Sequence, residues 1–204
     1  MVDAVPGGGR VGTDCHDTVP VVQAAPATAP QAQGSQRGMS RPVIAYVGIG
    51  SNLDGPEQRV RLAVRALSGL PDTRLTALSS WYRNPPMGPA DQPDYLNGVA
   101  ALETTLSARD LFGRMLAIES EQGRRRHLRW GPRTLDLDLL AYGGLQLDDS
   151  DLVLPHPGLA DRAFVLVPLA EIAPGATIPG LGVVKALRDA LAPASRQAME
   201  RVAP

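Results

Sequence analysis

Short apolar runs closed by turn residues alternate along this chain with stretches in which apolar side chains return every three or four positions. Val43 to Gly50 is β-branched and apolar and ends on glycine, which predicts a buried strand. Ser51, Asn52 and Asp54 offer caps for a following helix with Pro56 at its first position. Val60, Ala63, Val64, Leu67 and Leu70 recur at helical spacing until Gly69 and Pro71 end it. A strand is predicted from about Arg74 to Tyr82. After a proline-rich loop from Asn84 to Pro93, another runs from about Tyr95 to Thr104. Ser107 with Asp110 forms a capping box for a helix whose Leu111, Met115 and Ile118 share a face, ending near Gly123. A last strand covers about Thr134 to Tyr142.

Strand, helix, strand, strand, helix, strand is the split βαβ order, so the fold class expected is α+β, with a ferredoxin-like βαββαβ core and additional C-terminal elements. Those additions are an edge strand at Leu145 to Leu147, a helix at Val165 to Ile172 interrupted by Pro168, and a helix at Val184 to Leu191. Residues 1–42 contain no Leu, Ile, Phe, Tyr or Trp and read as a disordered Ala/Gly/Pro/Gln-rich tail without the apolar core of a secretory leader. The domain organisation predicted is therefore that tail, a folded domain over 43–193, and a flexible C-terminus over 194–204.

Charge narrows the class of partner. Over 204 residues, 20 Lys and Arg nearly balance 21 Asp and Glu, so no chain-wide field exists to hold nucleic acid or an anionic membrane. No apolar run approaches the roughly 20 residues of a membrane span. The single cysteine, Cys15, cannot form an intramolecular disulfide, which fits a reducing cytoplasm. A cytoplasmic protein acting on small molecules is expected.

The densest chemistry lies between Gly123 and Leu140, where Arg124, Arg125, Arg126, Arg129 and Arg133 precede Asp136 and Asp138. Along a strand, residues i and i+2 point the same way, so the two carboxylates share one face, about 7 Å apart at the backbone, while Leu135, Leu137 and Leu139 face the core. Such a pair suits Mg²⁺, which takes one or two protein carboxylates plus phosphate oxygens and water. An amphipathic strand with a polar outer face has the same pattern, and a charge run by itself is usually a solvated surface. Together, arginines that bind phosphate bidentately and paired aspartates on the next segment describe a polyphosphate site. The chain has no G-x-x-x-x-G-K-[ST] loop, and its only lysine is Lys185. Gly48-Ile-Gly50 follows a strand but lacks the third glycine of a dinucleotide fingerprint, and reads as a tight turn. Tyr95 and Asn97 share a strand face, pairing an aromatic ring with an amide able to donate and accept. Phe164 is available to complete a stack around a flat polar substrate, although for either ring taken singly a packing role is the better reading.

From Ile44 to about Pro174 the chain resembles the bacterial 6-hydroxymethyl-7,8-dihydropterin pyrophosphokinases of the folate pathway. The resemblance is carried by Tyr46-Val-Gly-Ile-Gly-Ser-Asn-Leu53, Ser80-Trp-Tyr-Arg-Asn-Pro-Pro-Met-Gly-Pro89, Asp91-Gln-Pro-Asp-Tyr-Leu-Asn97, Arg129-Trp-Gly-Pro-Arg-Thr-Leu-Asp-Leu-Asp138, and Leu154-Pro-His156 with Arg162 and Phe164. It implies transfer of the β,γ-pyrophosphoryl group of ATP to the pterin hydroxymethyl oxygen, releasing AMP. It further implies two Mg²⁺ ions held by Asp136 and Asp138, and catalytic roles for Arg124, Arg133 and Asp138. Nucleotide contacts are implied at Arg126, Arg129, Trp130, His156 and Arg162. The pterin would meet Asn84, Pro85, Met87, Tyr95, Asn97 and Phe164, and Glu119 matches a helix acid near the site. The chain departs from some members in a segment one residue shorter between Gly123 and Trp130. It also carries Pro157 for a tyrosine, Asp151 for a basic residue, and Asn84 and Met87 for a threonine and a leucine. The rival class is a ferredoxin-like RNA-binding module gripping phosphate through the arginine run. Against it, the strand from Tyr95 to Glu103 holds one aromatic rather than the RNA-recognition signature, and the aspartate pair would repel a phosphate backbone.

Overall fold

A computed structural model describes residues 41–87, 91–123 and 133–202. In chain order the elements are β1 (Val43–Ser51), α1 (Pro56–Ser68), β2 (Thr73–Leu78), β3 (Trp81–Asn84), β4 (Tyr95–Thr104), α2 (Ala108–Glu121) and β5 (Asp136–Tyr142). They continue with β6 (Leu147–Asp148), β7 (Val153–Leu154), α3 (Ala163–Ile172), β8 (Thr177–Ile178), β9 (Gly182–Val183), α4 (Val184–Ala190), α5 (Pro193–Gln197) and β10 (Glu200–Val202). The central sheet is antiparallel in the order β10-β3-β4-β1-β5, with β2 also on β4, so the α+β ferredoxin-like core holds.

One face of this sheet is the main core. Ala45, Val47 and Ile49 of β1, Leu96, Ala100 and Leu102 of β4, and Leu137 and Leu139 of β5 pack under Val60, Ala63 and Leu67 of α1 and Leu111, Met115 and Ile118 of α2. Period-two alternation on the strands and the helical stripes put these residues inward. On the opposite face, Val99 and Leu140 pack with Leu166 and Leu169 of α3 and Val184 of α4. Tyr46, Gly48 and Gly50 of β1, Tyr95 and Asn97 of β4, and Asp136 and Asp138 of β5 alternate onto that second face.

Several expectations change in detail. The single strand expected from Arg74 to Tyr82 is β2 and β3, whose register on β4 slips by one residue across Ser79-Ser80. There the Val99 N–H donates to the Ser79 side chain at 2.9 Å, which makes the slip a bulge rather than a chain break. Ser51 and Asn52 do not cap α1. Gly55 is its N-cap, and Pro56 opens the helix as expected. At α2 the capping reading holds, with the Asp110 N–H donating to Ser107 Oγ at 3.1 Å. The edge strand expected at Leu145 to Leu147 is the two-residue β6, paired with β7. The 194–204 segment, expected to be flexible, instead carries most of α5 and all of β10, which closes the sheet by pairing with β3. Arg201 fastens it by donating to Ser80 Oγ at 2.8 and 2.6 Å and to Glu171 of α3 at 3.1 Å.

Candidate functional site

Three adjacent strands build the floor on the second sheet face. Gly50 of β1 pairs with Asn97 on one side and Asp136 on the other, and Gly48 pairs with Val99 and Asp138. Asn97 and Asp136 are therefore two strand spacings apart, roughly 10 Å, with only glycine between them. A Cβ on Gly50 would lie 2.6 Å from Asn97 Oδ1, so the amide occupies space that only glycine leaves. The two glycines expected to make a tight turn are in fact the floor of the site.

On the amide side, Asn97 is 7% exposed and donates through Nδ2 to Asn84 Oδ1 at 2.7 Å, and Asn84 Nδ2 donates to the Pro85 carbonyl at 2.9 Å. Asn84 thus fixes which edge of Asn97 remains for a ligand. Met87 is 63% exposed beyond it. Tyr95 is the neighbour of Asn97 along the same face.

On the carboxylate side, Arg133 Nη1 donates to Asp136 Oδ2. Arg162 Nη1 and His156 Nε2 each stand 3.9 Å from Asp138, one at each carboxylate oxygen. Burial, then the Asp136 charge, pushes the Asp138 carboxyl up, against the opposing pull of His156, Arg162 and Arg133. Burial, with help from Arg162, holds the His156 imidazole below its ordinary value despite the aspartates. The Gly158 N–H donates to His156 Nδ1 at 3.0 Å, which leaves the proton of the neutral ring on Nε2, facing Asp138. A Cβ on Gly158 would lie 2.3 Å from Arg162 Nε, so this glycine orients the histidine and makes room for the arginine. The Arg162 guanidinium also lies 5.7 Å from the centre of the Phe164 ring, within cation–π reach.

Behind β5, Glu119 of α2 is 2% exposed and accepts the Leu137 N–H at 2.7 Å, locking the backbone between the two aspartates. Beside the same strand opens a cleft of about 260 Å³ whose walls include Asp138, His156, Pro157, Val153, Phe112 and Leu116. Asp138 and His156 lie in its lining with Glu119, Ser150 and Asp151, and the apolar side chains of Phe112, Leu116 and Val153 suit a flat heterocycle.

The structure brings Asn84, Pro85, Tyr95, Asn97, Arg133, Asp136, Asp138, His156, Arg162 and Phe164 onto this face or its rim. Arg124, Arg126, Arg129 and Trp130 lie outside the described residues. Sequence reasoning assigned Asn52 to a helix cap, whereas it is the junction of the site. It is 3% exposed, its N–H donates to the Arg133 carbonyl at 3.1 Å, its Oδ1 accepts the Arg133 N–H at 2.8 Å, and its Nδ2 donates to the Pro93 carbonyl at 3.1 Å. Ser51 Oγ adds a bond to the Thr134 carbonyl at 2.6 Å. The one sequence signal for this role is two small polar residues directly after a buried strand, where a cap and a buried junction look alike.

The donor set fits Mg²⁺. Two carboxylates share one face, and among the described residues no group of three or more His, Cys, Asp or Glu completes a protein-only cage. That leaves most of a hard cation's shell to phosphate and water.

Comparison with known proteins adds an independent line. The family model described as 7,8-dihydro-6-hydroxymethylpterin-pyrophosphokinase matches residues 46–174. The 2-amino-4-hydroxy-6-hydroxymethyldihydropteridine pyrophosphokinase of Pseudomonas aeruginosa is 53% identical over 134 residues, covering 66% of this chain and 83% of that protein. The protein of the same description from Methylorubrum extorquens is 46% identical over 158 residues, covering 78% and 98%. The solved HPPK-DHPS structure from Plasmodium falciparum with pteroate aligns with a TM-score of 0.58 at 11% identity, over 73% of this chain and 42% of that one. At that identity it speaks for the fold alone, and this chain spans less than half of its length.

Proposed function

The chain belongs to the 7,8-dihydro-6-hydroxymethylpterin-pyrophosphokinase family and transfers a pyrophosphoryl group from ATP to 6-hydroxymethyl-7,8-dihydropterin in folate biosynthesis; we propose that it does so on the glycine-floored face of β1, β4 and β5. The observation that carries this reading is the row Asn97, Gly50, Asp136. It sets a heterocycle-reading amide and a cation-binding carboxylate on one surface, roughly 10 Å apart.

In this reading Asp136 and Asp138 would hold two Mg²⁺ ions, whose chemistry would be neutralisation of phosphate charge. Everything else is done by side chains of the chain. Asn97, its free edge set by Asn84, hydrogen-bonds the rim of the pterin, with Pro85 and Met87 at the loop above it. Tyr95 and Phe164 stack on the two ring faces. Arg133 and Arg162, and with them Arg124, Arg126 and Arg129, bind phosphate oxygens. His156, protonated at Nε2, acts as a hydrogen-bond donor to the nucleotide rather than as a base. The base lies in the cleft between Phe112 and Pro157, and Trp130 is a further nucleotide contact. Catalysis is then positioning of the pterin hydroxyl against the β-phosphorus together with stabilisation of phosphoryl charge. The protein works as a monomer in the cytoplasm, where its ATP is supplied. The comparisons lend no support to the RNA-binding alternative.

Steady-state kinetics test the assignment. Asp136→Ala and Asp138→Ala should each lower turnover at least ~100-fold, the scale of losing preorganised charge stabilisation. Turnover within a few-fold of the parent in either variant would contradict it.

A further inference from the structure

Each aspartate of the site already holds a cation belonging to the chain. Arg133 donates to Asp136 Oδ2, and Arg162 Nη1 stands 3.9 Å from Asp138 Oδ2. Among the described residues, these two carboxylates and two guanidiniums balance. A divalent cation arriving alone would therefore be added to a neutral cluster, against two like charges a few ångströms away. A divalent cation arriving with a nucleoside triphosphate brings its own anions, which the same guanidiniums can bind in bidentate fashion.

The two arginines are built to make that exchange with their side chains alone. The Arg133 backbone is fixed in both directions by Asn52, at 2.8 and 3.1 Å, while its side chain is 31% exposed. Arg162 precedes α3 and makes no side-chain cap bond there. Its guanidinium has a second resting partner in the Phe164 ring and already fills the space that Gly158 leaves. Arg162 rests at the limit of ion-pair distance, whereas Arg133 is hydrogen-bonded, so Arg133 is the stronger of the two guards.

We propose that Arg133 and Arg162 are resident counter-cations of the aspartate pair, which disfavour a divalent cation on its own and pass to the phosphates when cation and nucleotide bind together. The site thereby couples the two ligands. Each raises the affinity of the other by the same factor, as linkage requires. The inference rests on Asp136 and Asp138 being the cation ligands.

Mn²⁺, read by loss of its free-ion EPR signal, tests this on the full chain, alone and with α,β-methylene-ATP, which cannot transfer the pyrophosphoryl group. In Arg133→Met, Mn²⁺ alone should bind at least ~10-fold more tightly than in the parent, while the nucleotide analogue in the presence of Mn²⁺ should bind at least ~10-fold more weakly. Arg162→Met should show the same two opposite signs with smaller size, and it decides the matter by itself if Arg133→Met fails to fold. Affinity for Mn²⁺ alone that is unchanged or weaker in the folded variants overturns the proposal. So does equal tightening in Arg74→Met, an exposed arginine paired with Glu103 on β4, because that would reduce the effect to general charge. Asp138→Asn separates the two levels. If it binds Mn²⁺ as the parent does, the ligand assignment itself has failed. If it loses Mn²⁺ while the arginine variants do not tighten, only the exchange is wrong.

Discussion

Asp138 is a residue whose charge the fold tolerates rather than welcomes. Burial and the neighbouring Asp136 raise its carboxyl above the ordinary range. A group bound more tightly to its proton in the folded state than in the unfolded one stabilises the fold at low pH and withdraws that support as pH rises through its raised value. At neutral pH the ionised form is a net cost, so Asp138→Asn should melt at a higher temperature than the parent at pH 7. The difference should shrink as pH falls through the raised value and the parent carboxyl takes up its proton. The same variant should be nearly inactive, which thermal melts and turnover together would show. A lower melting temperature at pH 7 would mean that the His156 and Arg162 contacts outweigh burial. At Gly50 the expected effect is on one substrate. Gly50→Ala puts a Cβ 2.6 Å from Asn97 Oδ1 and should raise KM for the pterin about tenfold while moving KM for ATP less than about twofold, the size expected when a positioned hydrogen bond is lost.

Elements differed in how well they could be read. β1, the first half of β5 and helices α1 and α2 announce themselves through a period of two or 3.6, because each buries one face against the main core, whereas β4 is buried on both faces and announces itself as an apolar run. The aspartate pair was legible for the same reason, since Leu135, Leu137 and Leu139 fix which way Asp136 and Asp138 point. The glycine floor was not, because a missing side chain leaves no period and its purpose depends on which strands lie on either side. Nor was the junction at Asn52, whose partners lie 41 and 81 residues away. β10 was invisible because Glu-Arg-Val has no pattern of its own. It is held by backbone pairing to β3 and by the Arg201 bonds to Ser80 and Glu171. Glu171 also accepts from Ser80 Oγ at 2.8 Å and Tyr82 Oη at 2.9 Å. Although burial opposes it, these bonds and the Arg201 charge hold its carboxyl below the ordinary range. Ending the chain at Met199 should therefore lower the melting temperature by about 3–6 °C, the shift expected for losing 1–2 kcal/mol in a domain of this size. An unchanged melt would show that the terminal strand is decoration.

At the scale of the molecule, one antiparallel sheet divides labour between its faces. α1 and α2 take one face for the main core, and α3 and α4 cover part of the other, where the ends of β1, β4 and β5 carry the polar groups. With a net charge of only -1, attraction for a polyanionic nucleotide has to come from the local arginines and from the cation that accompanies it, rather than from a global field. Residues 1–38 carry no large aliphatic or aromatic side chain other than valine, and their removal should leave both turnover and melting temperature unchanged. A loss of either would give the segment a role in the enzyme. The central claim is that this face moves two phosphoryl units at once, and ³¹P NMR of the protein with ATP, Mg²⁺ and 6-hydroxymethyl-7,8-dihydropterin tests it most directly. The predicted result is AMP growing in step with a pterin pyrophosphate, and only when the pterin is present. Accumulation of ADP, or of AMP without any pterin product, would contradict it.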